Sequence, residues 1–309
     1  MAGEAVIAEG LTKRYGDFTA VDGISFRVRR GEIYGLLGPN GAGKTTTVRM
    51  LTTLTSITFG EAWVNGYSVR EERLMVRKSI GLVPDVSNLY DELTVEENLK
   101  FTAKLYGAPL ENVYELIREF ELPAGRKFGK LSSGFKRRAT IAAALVHEPE
   151  ILFMDEPTAN LDVRSAKAVR ALVRALNRRG MTIFLTTHNM VDAELLPHRI
   201  AIMERGKIIA EGKRGELKRL VGRGVIVRFS VEPVSSGLLR ALEPYSPAFD
   251  EGRISVVVED ADEFLEFLFG LKESLGFRIE YLSTELPSIE DVFMELTGEN
   301  RCPCGGCPL

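Results

Sequence analysis

Nine consecutive residues, Gly38-Pro39-Asn40-Gly41-Ala42-Gly43-Lys44-Thr45-Thr46, have the composition and spacing needed to hold an oligophosphate. The apolar run Ile33-Tyr34-Gly35-Leu36-Leu37 before them reads as a buried strand, and Thr47-Val48-Arg49-Met50-Leu51 after them can continue as a helix. The glycines let the backbone curl so that several N–H groups point at one anion, and the helix N-terminus adds partial positive charge. Lys44 then reaches the β- and γ-phosphates, and the Thr45 hydroxyl is placed to hold Mg²⁺. A glycine-rich turn alone would need neither the lysine nor the threonine at that offset. The stretch therefore predicts binding of a nucleoside triphosphate with Mg²⁺.

A second stretch supplies acids. Ile151-Leu152-Phe153-Met154-Asp155-Glu156 is an apolar strand ending in two carboxylates. If that strand neighbours the P-loop strand, Asp155 is positioned for the Mg²⁺ shell and Glu156 to polarise an attacking water. The plainer reading, two acids capping a strand end, explains less once the P-loop is present.

The elements that must position these groups follow from periodicity. Residues 5–28 read as β-type runs around the turn Tyr15-Gly16-Asp17, and Asn65-Gly66 is a hairpin signal after Glu61-Ala62-Trp63-Val64. From Leu93 to His147 the pattern is helical, with a capping box at Thr94-Val95-Glu96-Glu97. Strand patterns return at 151–154, 182–185 and 199–203, alternating with a basic helix at 162–179. That alternation predicts a parallel α/β sheet, with residues 86–147 as a helical insertion. The Gly-rich, basic stretch 213–224 reads as a linker, and 225–298 as a small α+β domain.

The 309 residues suit two domains, and the net charge of −3 gives no global electrostatic case for nucleic acid. The N-terminal residues lack a signal-peptide pattern, and no apolar run approaches the ~18–20 residues that span a bilayer. All three cysteines, Cys302, Cys304 and Cys307, fall in the tail 299–309, so no disulfide framework is expected. These features predict a cytoplasmic protein. The tail reads as a flexible Pro/Gly-rich terminus, although Cys-x-Cys-x-x-Cys offers three thiolates to zinc.

Leu131-Ser132-Ser133-Gly134-Phe135-Lys136-Arg137-Arg138 resembles the signature motif of ATP-binding cassette (ABC) ATPases. Pro157-Thr158-Ala159-Asn160-Leu161-Asp162 resembles that family's D-loop, His188 its switch histidine, and Tyr15 the aromatic that stacks on adenine. These motifs stand in the family's order through residue 212. The resemblance implies an α/β P-loop nucleotide-binding cassette over 1–212, with a helical insertion and a small C-terminal α+β domain. It further implies that Ser132, Ser133 and Gly134 of one subunit meet the γ-phosphate held by another, so that a homodimer encloses two ATP. Glu156 would be the general base, His188 would contact the γ-phosphate, and Asn160 and Asp162 would stand in the D-loop. Two positions depart from the family pattern. Asp85 stands where the family has a glutamine that ligates Mg²⁺ and is expected to keep that ligation with altered coupling, and Ser133, expected to be a good cap, replaces a glycine. The other two histidines read as structural, His147 as a helix cap and His198 as plain surface.

The segment 89–107 resembles the exporter branch that moves drugs, lipids or polysaccharides, and 285–298 resembles the closing motif of daunorubicin-resistance-type exporter ATPases. The expectation is an ATPase subunit, peripheral on the inner face of the cell membrane, that energises an integral-membrane permease on a separate chain. Two alternatives stay open at this point: a soluble ABC ATPase acting on nucleic acid or ribosomes, and a drug-sequestering resistance protein. Neither the transported substrate nor the permease is readable from the sequence.

Overall fold

Strands buried along their whole length need cover on both faces, and three of them form the centre of the first unit. The computed structural model describes residues 3–221, 224–250, 252–285 and 287–297. The cysteine tail and residues 222–223 of the expected linker lie outside the described residues. The chain divides into two compact units, Met1–Lys213 and Arg214–Leu309.

The first unit runs β1 (Glu4–Tyr15), β2 (Phe18–Arg29), β3 (Ile33–Leu37), α1 (Lys44–Leu51), β4 (Phe59–Val64), β5 (Tyr67–Ser68), α2 (Arg73–Ser79) and β6 (Ile80–Val83). The helical insertion follows as α3 (Val95–Tyr106), α4 (Leu110–Glu119) and α5 (Ser133–Leu145). The unit closes with β7 (Ile151–Asp155), α6 (Val163–Arg178), β8 (Thr182–Thr187), α7 (Met190–Leu195), β9 (Arg199–Glu204) and β10 (Lys207–Lys213). Six strands form a sheet in the order β10-β9-β3-β8-β7-β6, parallel except for β10. A second, antiparallel sheet has the order β2-β1-β4-β5.

Every residue of β3, β7 and β8 is buried. One face of the parallel sheet is filled by an aromatic stack in which Tyr34 lies 5.4 Å from Phe26 and 5.6 Å from Phe184, and Phe184 lies 5.4 Å from Phe153. Phe26 comes from the antiparallel sheet, so this stack joins the two sheets. The other face packs against the insertion and α6 through Leu99, Ile141, Val169 and Val173. Local signals behave as their chemistry dictates. Thr94 and Glu97 form the reciprocal capping box of α3, and Asn65 and Gly66 turn the β4–β5 hairpin with φ of 54° and 85°.

One sequence expectation is corrected. The Asp155 strand does not neighbour the P-loop strand, because β8 lies between β3 and β7. Strand order is a long-range property, and two buried apolar strands of similar length carry no local mark of it.

In the second unit, the stretch read as a linker is helical over α8 (Arg214–Lys218), where Leu217 is a buried apolar anchor among basic residues. Then come β11 (Val225–Glu232), α9 (Ser236–Leu242), β12 (Ala248–Asp250), β13 (Arg253–Val258), α10 (Ala261–Leu275), β14 (Arg278–Glu285) and α11 (Ile289–Thr297). The antiparallel order β12-β13-β11-β14 makes this a split βαβ arrangement. Alternate residues Val227, Phe229, Val231 and Ile254, Val256, Val258 face a shared core with Leu238 and Leu242 of α9 and Phe264 and Leu268 of α10.

Candidate active site

The C-terminal ends of β3, β8 and β7 lie side by side, and each delivers one part of the site. Between β3 and α1 the loop 38–43 is fixed at both sides: Gly38 donates its N–H to the Thr187 carbonyl (3.2 Å), and Gly206 donates to the Ala42 carbonyl (2.9 Å). Two glycines are sterically required. A Cβ on Gly38 would sit 2.3 Å from the Met203 carbonyl oxygen, and one on Gly43, at φ 107°, would sit 2.4 Å from the Ala20 carbonyl oxygen. Pro39, Asn40 and Gly41 form the exposed rim of the loop, Ala42 is buried beneath it, and Thr46 lies in the first turn of α1.

Lys44 is buried at 5% exposure. Its Nζ donates to the carbonyls of Gly38 (2.7 Å) and Pro39 (3.0 Å) and lies 3.3 Å from Glu156 Oε1. That last contact is an ion pair by distance, but its angle is not that of a hydrogen bond, so Oε1 is a buried acceptor with no hydrogen-bond donor. The other oxygen, Glu156 Oε2, accepts from the His188 backbone N–H (3.2 Å) and stands 2.9 Å from His188 Nδ1. Glu156 itself adopts φ 49°, a left-handed conformation uncommon for a residue with a side chain, and its N–H is shared between the Thr186 carbonyl and hydroxyl.

Asp155 reaches the P-loop across the intervening strand. Its Oδ1 accepts from the hydroxyls of Thr186 on β8 (2.5 Å) and Thr45 on α1 (3.2 Å). Among the described residues no group of three or more His, Cys, Asp or Glu side chains is arranged to hold a metal ion. One carboxylate beside one hydroxyl is nonetheless a donor set that fits Mg²⁺, an ion that takes its remaining ligands from phosphate and water.

Other predicted residues lie outside this cluster. Ser132 is the N-cap of α5 and accepts from Phe135 N–H at 3.5 Å, so Ser132 does the capping expected of Ser133, which is the first residue of the helix. Gly134 is buried against α6, where a Cβ would meet Ser165 Oγ at 2.3 Å. Asn160 has φ 58°. Asp162 caps α6, accepting from the Ser165 N–H (2.9 Å) and hydroxyl (2.7 Å), and these bonds hold its carboxyl below the usual carboxylate range. Among the described residues no hydrogen bond or ion pair joins Ser132, Ser133, Gly134, Asn160 or Asp162 to Lys44, Asp155, Glu156 or His188. Tyr15 is half exposed at the end of β1, with the Lys13 ammonium 4.9 Å from its ring centre.

Asp85 lies just past β6 and is exposed, its Oδ1 3.9 Å from an Arg137 nitrogen. Arg137 donates to the carbonyls of Pro84 (2.8 Å) and Asp85 (3.0 Å) and so fixes this backbone. Burial draws the Arg137 guanidinium below its ordinary pKa, while the charges of Asp85, Asp155 and Glu156 oppose that shift. The sequence reading missed Arg137 and Thr186. Helical spacing places Arg137 on the same buried stripe as Gly134 and Ile141, and a cation on such a stripe signals a buried partner.

The two remaining histidines also differ from expectation. His147 does not cap a helix: its ring stacks on Tyr106 with centroids 3.9 Å apart, and Nε2 lies 2.9 Å from the Ile80 carbonyl oxygen. Burial lowers its pKa, with the Ile80 contact opposing. His198 is exposed but not idle, since Nδ1 accepts the N–H of Ile33 at the start of the P-loop strand (3.0 Å).

Comparison with known proteins gives the same picture over a longer span. A profile described as ABC transporter matches residues 21–159. The daunorubicin resistance ATP-binding protein DrrA3 of Streptomyces coeruleorubidus is 38% identical, over 97% of this chain and 98% of its own. A Nod factor export ATP-binding protein I of Burkholderia pseudomallei is 39% identical, over 93% and 95%. Among solved structures, a dimeric ATP-binding cassette in a post-hydrolysis state with ADP and Pi is similar at TM-score 0.62 and 28% identity, covering 67% of this chain and 98% of that one.

Proposed function

The chain belongs to the ABC transporter family of ATP-binding proteins, and on that premise we propose that it hydrolyses ATP as a homodimer to drive export through a permease on a separate chain. The observation that carries the reading is the placement of Glu156 between Lys44 and His188, beside Thr45 and Asp155. The P-loop N–H groups and Lys44 hold the β- and γ-phosphates, and Tyr15 takes the adenine on its exposed face. Glu156 accepts a proton from the water that attacks the γ-phosphorus, the bond to the bridging oxygen breaks, and ADP leaves with that electron pair. His188 orients Glu156 and the γ-phosphate oxygens. Thr45 and Asp155 would hold Mg²⁺, which would neutralise phosphate charge when bound. Ser132, Ser133 and Gly134 serve the partner subunit's ATP, with Asn160 and Asp162 at the same interface.

Asp85, expected among the Mg²⁺ ligands, stands at the edge of that metal shell through its carboxylate, 3.9 Å from the Arg137 guanidinium that also feels the charges of Asp155 and Glu156. Replacing a supporting group of this kind costs about tenfold or more in activity. Asp85→Ala is therefore expected to lower turnover by about tenfold and to raise the Mg²⁺ requirement, with Asp85→Gln recovering part of the loss. Mg²⁺-titrated ATPase assays check this, and equal rates for both variants and the parent would remove Asp85 from the site.

Support for the transport role comes from the full-length likeness to exporter subunits and from one groove. A cavity of about 500 Å³ lies beside the helical insertion, and its lining includes Leu54, Tyr90, Phe101 and Leu105, which are 58%, 54%, 48% and 71% exposed. Apolar exposure of this kind marks an interaction surface, and we assign it to a helix of the permease. Among the described residues no helix is long and apolar enough to cross a membrane. Membrane attachment on the cytoplasmic face then depends on this contact. Leu105→Asp is expected to yield folded, ATP-binding protein that no longer sediments with membranes. Recovery of the parent chain in ribosomal fractions alone would instead favour the soluble alternative.

A further inference from the structure

The two loops that bring Glu156 and His188 together are tied a second time, behind the site. Thr158 stands two residues after Glu156, and Asp192 stands four after His188, on the buried side of α7. The Thr158 hydroxyl donates to Asp192 Oδ2, and Arg170 of α6 donates through Nε to Asp192 Oδ1 at 2.5 Å. Asp192 is 0% exposed and Thr158 5%, and the Arg170 side chain is 14% exposed. A carboxylate this deeply buried is costly unless its charge and both oxygens are matched, and here both are.

The geometry of α7 transmits this anchor to His188. Asn189 caps the helix, its Oδ1 accepting the N–H groups of Val191 (2.9 Å) and Asp192 (3.3 Å), and its own N–H donates to the Thr187 hydroxyl (2.9 Å). The backbone between Asp192 and His188 therefore has few ways to move independently. On the other loop, Glu156 holds its left-handed φ of 49°, and the turn is closed by the Ala159 N–H on the Glu156 carbonyl (3.1 Å). Thr158 is thus tightly linked to Glu156.

We propose that Asp192 is a positioning residue for hydrolysis: through Thr158 and Arg170 it sets the separation of the Glu156 and His188 loops. It touches neither nucleotide nor water, and its ion pair with Arg170 makes α6 a third member of the assembly. The proposal rests on the reading of Glu156 and His188 as the hydrolytic pair. Loss of the anchor leaves the P-loop intact, so its effect falls on turnover rather than on ATP affinity.

The test compares Thr158→Val, which keeps the volume and removes the donor, with Thr158→Ser, which keeps the donor. Glu156→Gln is assayed in parallel. Turnover is counted per bound nucleotide, so that misfolded protein does not enter the rate. Thr158→Val is expected to lose about ten- to a hundredfold in turnover, the cost of sub-ångström to ångström misplacement of a catalytic group. Its KM for ATP should stay within about twofold of the parent, and Thr158→Ser should restore most of the rate. A purely structural contact would lower the bound-nucleotide count or the melting temperature and leave turnover per site unchanged, which overturns the proposal. Equal losses in Thr158→Val and Thr158→Ser overturn it as well. If Glu156→Gln turns over like the parent, the hydrolytic pair itself is wrong, and that outcome is told apart by the Glu156→Gln rate alone.

Discussion

Glu156→Gln is expected to lower ATP turnover by about a thousandfold while ATP stays bound, because a positioned general base contributes roughly 10²–10⁴ in rate. Glutamine is the informative replacement for three structural reasons. It keeps the length and shape of the side chain, so Oε1 remains available to Lys44 at the position now 3.3 Å away. Its amide nitrogen can still meet His188 Nδ1, where Glu156 Oε2 now stands at 2.9 Å, although it gives up the bond that Oε2 accepts from the His188 N–H at 3.2 Å. Its backbone demands at φ 49° are those of glutamate, so the turn into Pro157 is not newly strained. What disappears is the capacity to take a proton from water. ATP held without hydrolysis should also accumulate the dimer, so size-exclusion chromatography with ATP ought to show a stable double-mass species in the variant and a transient one in the parent. A Glu156→Gln rate within tenfold of the parent would falsify the base assignment. Binding of a slowly hydrolysed ATP analogue then says whether Lys44 and the loop 38–43 still hold phosphate.

How far the sequence led can be judged from individual residues. Features set by neighbours in the chain were legible. The Thr94–Glu97 capping box, the Asn65-Gly66 turn and the strand–loop–helix around Lys44 each depend on a few contiguous side chains. The runs that became β11 and β13 carry their apolar residues in alternation, one face of which is buried. Features set by distant partners were not legible. Nothing near Asp155 says that β8 will separate its strand from β3, or that Thr186 will bridge the gap at 2.5 Å. His198 looks like surface until Ile33, 165 positions away, is found to donate to it. His147 looked like a cap because it follows a helix, yet its ring is taken up by Tyr106 and its Nε2 by the Ile80 carbonyl. The difference is physical: caps and turns close over three or four residues, whereas strand order and buried polar partners are chosen by the whole fold.

Two chains that are each inactive should recover activity when mixed. Lys44→Ala removes the cation assigned to the phosphates, and Ser132→Arg places a bulky charge on the loop assigned to the partner's ATP; each homodimer is expected to fall below about 1% of parent turnover, the scale set by loss of a preorganised phosphate contact. Ser132 is the better signature target because it is exposed, whereas any side chain on Gly134 would collide with Ser165 Oγ at 2.3 Å and disturb α6 as well. In the proposed two-fold dimer each site would pair the P-loop of one chain with the signature of the other. A mixed dimer then has one site broken twice and one site wholly intact. Random pairing makes about half of all dimers mixed, so about a quarter of parent turnover returns if intact sites work independently. If sites were instead completed within one chain, every site in the mixture would be broken and nothing would return. Concerted firing would also suppress the recovery, and a second mixture separates the two cases. Parent with Lys44→Ala also gives dimers with one intact site, so concerted firing silences those dimers too, while sites completed within a chain leave the parent subunits fully active. Recovery in the first mixture, with native mass spectrometry confirming exchanged dimers, assigns Ser132 to the partner's ATP; absence of recovery together with full parent activity in the second mixture sinks the shared site.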